Sequence, residues 1–519
     1  MKPPIPPALL AAPSSILWAT ALLASGGAPL HAAPAIASEL ALPLDLRLDP
    51  TQVALEVHRG EVNLIFDAGS TAPRLYVTDP TNTTRCTAAG VAIDCRPPSD
   101  ARSRLVVDLV LPPGVAAVVG GLEIDLAVGP RALDSEAAGA EPASPESDED
   151  PPVAGEVEGS EKEPSSLLDR RAAASQSSNS TFGPLELHLV DSRLYWTSSA
   201  SGIVTASGSS LLLEATTGDL ELALVTSHAQ IRDHRGKLTA TAQGGEIAVD
   251  EAAGAVELRG EGARADLRSV RGQVRAEWHE GSLRVEDGGP GLEVAGNATS
   301  LTLSRSHFSQ GWSASGSDLQ LLVSEVSGAG VLELTGGGGE LERVGALKLD
   351  ASATQLALRD ADGQVDATLQ PGSSLEVQRA GVLSATVREA TLIGREVRQL
   401  QLDADAASLE LSAIGRLGSW KVNDSVLVAD FTGLGGAAGL VLDGACDAEV
   451  SLATPCFVRL EGRTTPLSSG LRVVGCEIMT PQQNRRMRHG GLQRLDGGRG
   501  TVFRVDIDDR STLTVRGRD

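Results

Sequence analysis

Aromatic rings are scarce in this chain: six phenylalanines, five tryptophans and two tyrosines among 519 residues. A compact globular core is normally filled by such rings, each burying a large area, so a thick core of that kind is excluded. Long apolar runs are missing as well. Ile16 to Ser25 (ILWATALLAS) is too short for a bilayer span, which takes roughly 20 residues. Arg104 to Val128 is broken by charges and by Pro112-Pro113, so no transmembrane anchor is expected. Positive charge is short: 44 Lys and Arg stand against 68 Asp and Glu, a formal net charge of −24. Non-specific nucleic-acid binding needs a basic footprint, so nucleic acid is not an expected partner. There are five cysteines, and no pair is spaced C-x-x-C, which excludes a zinc ribbon or a thioredoxin-type motif. Neither an H-E-x-x-H helix motif nor a G-x-S-x-G elbow occurs.

What the chain has instead is a nine-residue beat. Leu211, Leu220, Ala229, Leu238, Ile247, Val256, Ala265, Val274, Leu283, Leu292 and Leu301 are all apolar and each lies nine residues after the last. Leu213, Leu222, Ile231, Ala240, Val249 and Leu258 keep the same step two residues on, and Gly218, Gly236, Gly245, Gly254, Gly272 and Gly281 precede the first series by two. A fixed short period marks a repeat architecture. The 2-then-7 spacing builds no helical stripe, and dense glycine penalises helix. The uniform direction of the motif favours parallel stacking over hairpins. The expected fold is all-β: a parallel β-solenoid, or β-helix, built on G-x-φ-x-φ units, with a small N-terminal β domain. Its narrow interior takes aliphatic side chains stacked coil on coil, which accounts for the missing rings. Two nonapeptides per coil give on the order of 13 coils over 183–440, a rod of about 60 Å at roughly 4.8 Å per strand.

Five segments follow. Residues 1–37 read as a signal peptide, with Lys2, the apolar stretch and small-residue cleavage candidates at Ala33-Pro34-Ala35 and Ala35-Ile36-Ala37. The expected location is therefore exported: periplasmic, cell-surface or secreted. Residues 38–130 alternate apolar and polar around Gly and Pro turns, an N-terminal β domain. Residues 131–182 are a Pro-, Ser- and Glu-rich acidic stretch with almost nothing large and apolar, expected to be a disordered linker. The solenoid occupies 183–440, with a phase slip at Gly336-Gly337-Gly338-Gly339. Residues 441–519 read as a C-terminal β cap carrying cysteines and a basic run (Arg485, Arg486, Arg488, His489, Arg494, Arg499). That run is either part of the cap or a docking patch for an anionic glycan or another acidic partner.

The units Gly218-Asp219-Leu220-Glu221-Leu222, Gly245-Glu246-Ile247-Ala248-Val249 and Gly281-Ser282-Leu283-Arg284-Val285 resemble those of a bacterial adhesin-like family of unknown function, whose members carry repeated G-D-V-x-V strands folded as a β-solenoid. The resemblance covers about 180–330. It implies an exported or envelope repeat protein with no established enzyme activity and no agreed functional residues, so it assigns no site.

Candidate chemistry is thin. No catalytic residues and no cofactor are assigned, and the chain is read as non-enzymatic. The alternative is a carbohydrate-active β-helix enzyme, a polysaccharide lyase or hydrolase. Such a site needs paired carboxylates about 5 to 10 Å apart, and Asp219, Asp233, Asp250, Asp266 and Asp287 do not share one phase of the repeat. Trp196, Trp278, Trp312 and Trp420 are too scattered for a sugar-binding track, and His228 and His234 read as exposed turn residues flanking one strand. For a metal, calcium is the ion considered: Asp360, Asp362 and Asp366 have the density of a calcium turn without completing an EF-hand loop. Asp506, Asp508 and Asp509 form a second acidic spot. For disulfides, Cys86 and Cys95 form a local pair, while two of Cys446, Cys456 and Cys476 can join and leave one free. The partner expected is a surface glycan or an envelope protein.

Overall fold

The computed structural model describes residues 38–40, 44–48, 52–79, 85–89, 92–96, 105–130, 183–432, 438–462, 470–479 and 501–518. The signal peptide, the acidic linker and the basic run at 485–499 lie outside these residues. Among them every element is a strand. The protein is a parallel β-solenoid of about 16 turns.

One coil is 18 residues, two of the sequence units. Leu220–Val225 stacks on Leu238–Gln243 in register, Leu220 on Leu238 and Leu222 on Ala240, while His228–His234 stacks on Glu246–Ala252. Successive nonapeptides therefore alternate between two faces. The glycine series of the sequence divides accordingly. Gly218, Gly236, Gly254 and Gly272 stack in one corner, where a Cβ on Gly254 would lie 1.8 Å from the carbonyl oxygen of Gly236. Gly245 and Gly281 belong to the opposite corner, which explains why glycine is needed at both.

That second corner is made by a column of residues in the left-handed region. Asp191, Gly208, Thr226, Gly244, Gly262, Glu280, Ala298 and Asp318 all have φ between 46° and 67°. For a residue with a Cβ this conformation costs roughly 1–2 kcal/mol. It is offset by backbone bonds between coils: the Asp191 N–H donates to the Ser207 carbonyl at 2.9 Å, Thr226 to Gln243 at 2.9 Å and Ala298 to Ser317 at 2.9 Å. A small or hydroxyl residue follows at every level but the last, where Leu319 follows Asp318. The Ser209 hydroxyl donates to its own strand at the Ser207 carbonyl (2.8 Å) and accepts the Ser192 N–H of the neighbouring coil (3.1 Å). Ser227 does the same one level on, so these buried hydroxyls are satisfied structural pins.

The interior is aliphatic, as a narrow solenoid requires. Its few rings are accommodated by glycine on an adjacent coil: Gly260 stacks on Trp278, and a Cβ there would lie 2.6 Å from the indole. Trp312 and Gly330 repeat the arrangement.

The stack extends beyond 183–440 in both directions. Gln52–Phe66 runs parallel to Ala116–Pro130, which runs parallel to Leu185–Val190 and Arg193–Trp196. The β region before the linker and the repeat after it are thus consecutive levels of one stack. Beyond Gln52–Phe66 one face continues through Ala92–Arg96 and then antiparallel through Arg85–Ala89 and Ser38–Leu40. The other continues through Leu105–Leu111 and antiparallel through Arg74–Thr78 and Leu44–Arg47. At the far end the chain order is broken. Thr501–Ile507 and Thr512–Arg518 lie between the coil of Ala438–Asp443 and Asp447–Ala453 on one side and that of Cys456–Leu460 and Leu471–Val474 on the other.

Candidate functional site

The left-handed corner carries a groove of about 600 Å³ that follows the rod. It is lined by Asp191 to Arg193, Gly208 to Ser210, Thr226 to His228, Gly245-Glu246 and Arg264. These are equivalent positions on five successive coils: Arg193 pairs in register with Ser210, Ser210 with His228, His228 with Glu246 and Glu246 with Arg264. At roughly 4.8 Å per step the four steps cover about 19 Å. The groove is polar because strand alternation points Arg193, Ser210, His228, Glu246 and Arg264 outward, opposite the buried Leu211 and Ala229.

Its charges are partly matched. A Glu246 carboxylate oxygen lies 3.4 Å from His228 Nδ1 and its partner oxygen 3.6 Å from Arg264 Nε. Arg193 has no ion-pair partner among the described residues. Tyr195, two residues on from Arg193 along the same outward row, is 44% exposed and donates its hydroxyl to Glu214 at 3.2 Å. Partial burial, then the Glu214 charge and that bond, hold its phenol above the usual pKa. Val190 and Val225, both exposed, stand directly before the groove residues Asp191 and Thr226.

The sequence-derived candidates are dispersed. Asp360 has a left-handed φ in the corner opposite the groove and is held by Arg379 at 2.5 Å, Asp366 accepts from Gln364 at 2.8 Å, and Asp362 is exposed. These three form no group of ligand atoms within 4.8 Å of one another. Among the described residues such a group is formed by Glu56, His58 and Asp94. Arg96 already occupies it, 2.8 Å from Asp94 and 3.7 Å from Glu56, and Asp94 with Glu56 raises the arginine's pKa.

Asp508 serves the cap. Its carboxylate accepts from the N–H groups of Gly444, Arg510 and Ser511 and from the Ser511 hydroxyl, at 2.9–3.1 Å. Burial pushes its pKa up, but these bonds outweigh burial and leave it below the usual carboxylate range. The disulfides join Cys86 to Cys95 and Cys456 to Cys476, and Cys446 is a buried free thiol. Burial pushes that thiol's pKa up. Asp233 and Asp287 share a corner column three coils apart, about 14 Å at the strand spacing, whereas Asp250 and Asp266 lie on the outer face of one sheet. Trp196, Trp278, Trp312 and Trp420 are all core residues.

No protein-family model, curated protein or solved structure matches the chain.

One histidine assignment is corrected. His228 is exposed in the groove, but His234 is fully buried. The strand bends at Asp233, which has φ 48°, and this turns His234 inward instead of outward. Its Nδ1 lies 2.8 Å from the Thr216 hydroxyl, while Nε2 is buried without a partner. The groove itself escaped the nonapeptide reading because its residues share no chemistry from coil to coil. A step of 17 and then 18 residues marks it: Asp191-Ser192, Gly208-Ser209 and Thr226-Ser227 repeat a corner residue followed by serine.

Proposed function

We propose that the protein is an exported, non-enzymatic solenoid that serves as an adhesin-like or envelope-scaffold protein, holding an extended partner along its left-handed corner. The observation that carries this reading is the continuity of one polar groove over five coils, parallel to the rod. Solenoids characteristically offer long, regular binding surfaces of this sort. No helix among the described residues is long and apolar enough to cross a membrane, so retention at an envelope would run through such a partner.

The test is binding of the purified chain to a glycan and cell-envelope array, beside a Ser210→Trp variant that fills the groove from an exposed position. The expected result is specific retention of the parent and loss in the variant. Equal retention of both overturns the groove as the contact. Release of reducing or unsaturated ends from any retained glycan overturns the non-enzymatic reading and favours the lyase or hydrolase alternative.

A further inference from the structure

We propose that the corner groove recognises an acidic polysaccharide, gripping its carboxylates with Arg193 at one end and Arg264 at the other; this rests on the groove being the binding site. The backbone decides first between a peptide and a glycan. An extended peptide is held chiefly by main-chain hydrogen bonds to an unpaired strand edge. Along this groove the main chain is already engaged from coil to coil. Gly208 N–H donates to Val225, Ser210 to Ser192, His228 to Ser209, Glu246 to Ser227 and Arg264 to Gly245, at 2.9–3.1 Å. The walls therefore offer side chains alone, as a ligand rich in hydroxyl and carboxylate groups requires.

Charge decides next between a neutral and an acidic sugar. Glu246 is occupied by His228 and Arg264, while the Arg193 guanidinium has no ion-pair partner among the described residues. In a chain of net charge −24, and in a groove whose acids are Asp191 and Glu246, Arg193 is thus the uncommitted guanidinium, while Arg264 meets Glu246 only through Nε at 3.6 Å. A guanidinium fork matches a carboxylate in a bidentate manner. Ser210 and Thr226 supply hydroxyls between the two arginines. The exposed ring of Tyr195 beside Arg193 gives a sugar a flat apolar surface. Spacing decides the size of ligand. Arg193 and Arg264 are four coils apart, about 19 Å at the strand spacing, so one small anion cannot engage both, whereas a polymer with repeated carboxylates can.

The experiment titrates the full chain with oligogalacturonates of increasing length and with their methyl esters. Physiological ionic strength is used, where a Debye length of about 8 Å screens the overall negative charge. The expected result is binding of the acid forms in preference to the esters. Arg193→Gln and Arg264→Gln each weaken it about fivefold, as for partly exposed ion pairs. The two losses combine only for oligomers long enough to reach both arginines. Melting of each variant is followed in parallel; both side chains are exposed, so the melting temperatures stay unchanged. Esters that bind as well as acids, with both arginine variants unaffected, overturn the acidic specificity and leave the groove standing. Acid binding that survives Ser210→Trp unchanged overturns the groove itself. No measurable binding of any acid form overturns the proposal.

Discussion

The two ends of the rod close the same kind of stack by different means. At the N-terminal end the parallel order gives way to antiparallel strands on both faces. Arg85–Ala89 is added as a hairpin with Ala92–Arg96 that Cys86 and Cys95 bridge, and the outermost strands on the two faces are Ser38–Leu40 and Leu44–Arg47. At the C-terminal end Thr501–Ile507 and Thr512–Arg518 are inserted between two coils that precede them in the chain. The sparse aromatics gather there. Trp420 and Phe431 lie 5.3 Å apart between ring centroids, and Phe431 and Phe503 6.4 Å. One end can therefore be shortened strand by strand from outside. The other is closed by residues with neighbours on both sides, so the last segment of the chain is not the outermost.

The largest expected effect tests that asymmetry. Removing 501–518 takes away the buried Val502, Phe503, Val505, Ile507, Leu513 and Val515. At roughly 1.5–3 kcal/mol for each side chain the loss is about 9–18 kcal/mol, an upper estimate because the unfolded chain already buries part of this surface. It also strands the Cys456 coil. Removing 38–47 strips only edge strands. Hydrogen exchange should show 438–479 lose protection in the first deletion and the solenoid remain intact in the second. Equal losses in both would break the comparison. Next in size are the bridges. Cys456–Cys476 spans 20 residues and Cys86–Cys95 spans 9, so loop-closure entropy assigns about 3 kcal/mol to each. A serine at Cys456 should also expose the inserted coil to protease, whereas a serine at Cys86 should cut nothing beyond its own hairpin. Cleavage patterns of the two variants measure this.

Most of the architecture is legible in the apolar periodicity, because an interior filled by stacked aliphatics needs the same residue class at the same step. Leu220, Leu238 and Val256 are readable for that reason. What is harder to read is set by backbone conformation or by pairing between distant segments. Asp233 looks like any acidic turn residue, yet its left-handed φ turns His234 into the core. The insertion of 501–518 leaves no periodic trace, since the strands of 438–453 and 456–460 that flank it both carry apolar residues at alternate positions. The groove is built from positions free to vary because they face outward, so only its corner serines carry a step.

Between the two ends, the regular coils sharpen the comparison at single-residue scale. Gly254→Ala places a methyl within 1.8 Å of the Gly236 carbonyl oxygen, on a coil with neighbours both above and below. Overpacking of this kind costs about 1–3 kcal/mol. Gly381→Ala is the control: its nearest atom would be 3.8 Å away, with no left-handed φ. Thermal melting should separate the two variants, and identical melting temperatures would show that the glycine column is not a steric requirement.

The smallest effect concerns acid. His234 lies in the interior with Thr216 on one nitrogen, while Asp219 and the backbone carbonyl groups of Gly236 and Lys237 are its polar neighbours. Burial pushes its pKa below the ordinary value, outweighing those neighbours. The unfolded chain then takes up a proton below about pH 6.5, while the folded chain stays neutral until a lower pH. Stability from this group is complete above about pH 6.5. It falls as acid is added until the folded-state value is passed, by about 1.4 kcal/mol for each unit of depression. Valine occupies the same corner further along, at Val326 and Val344. His234→Val should therefore melt with a shallower loss between pH 7.5 and 5.5 than the parent. The ends carry no such group among their described core residues, so hydrogen exchange at pH 5.5 should open the coils around 228–243 before either end. Parallel slopes for parent and variant would remove His234 as the cause and return acid sensitivity to the ends, where Asp508 loses its bonds only at much lower pH.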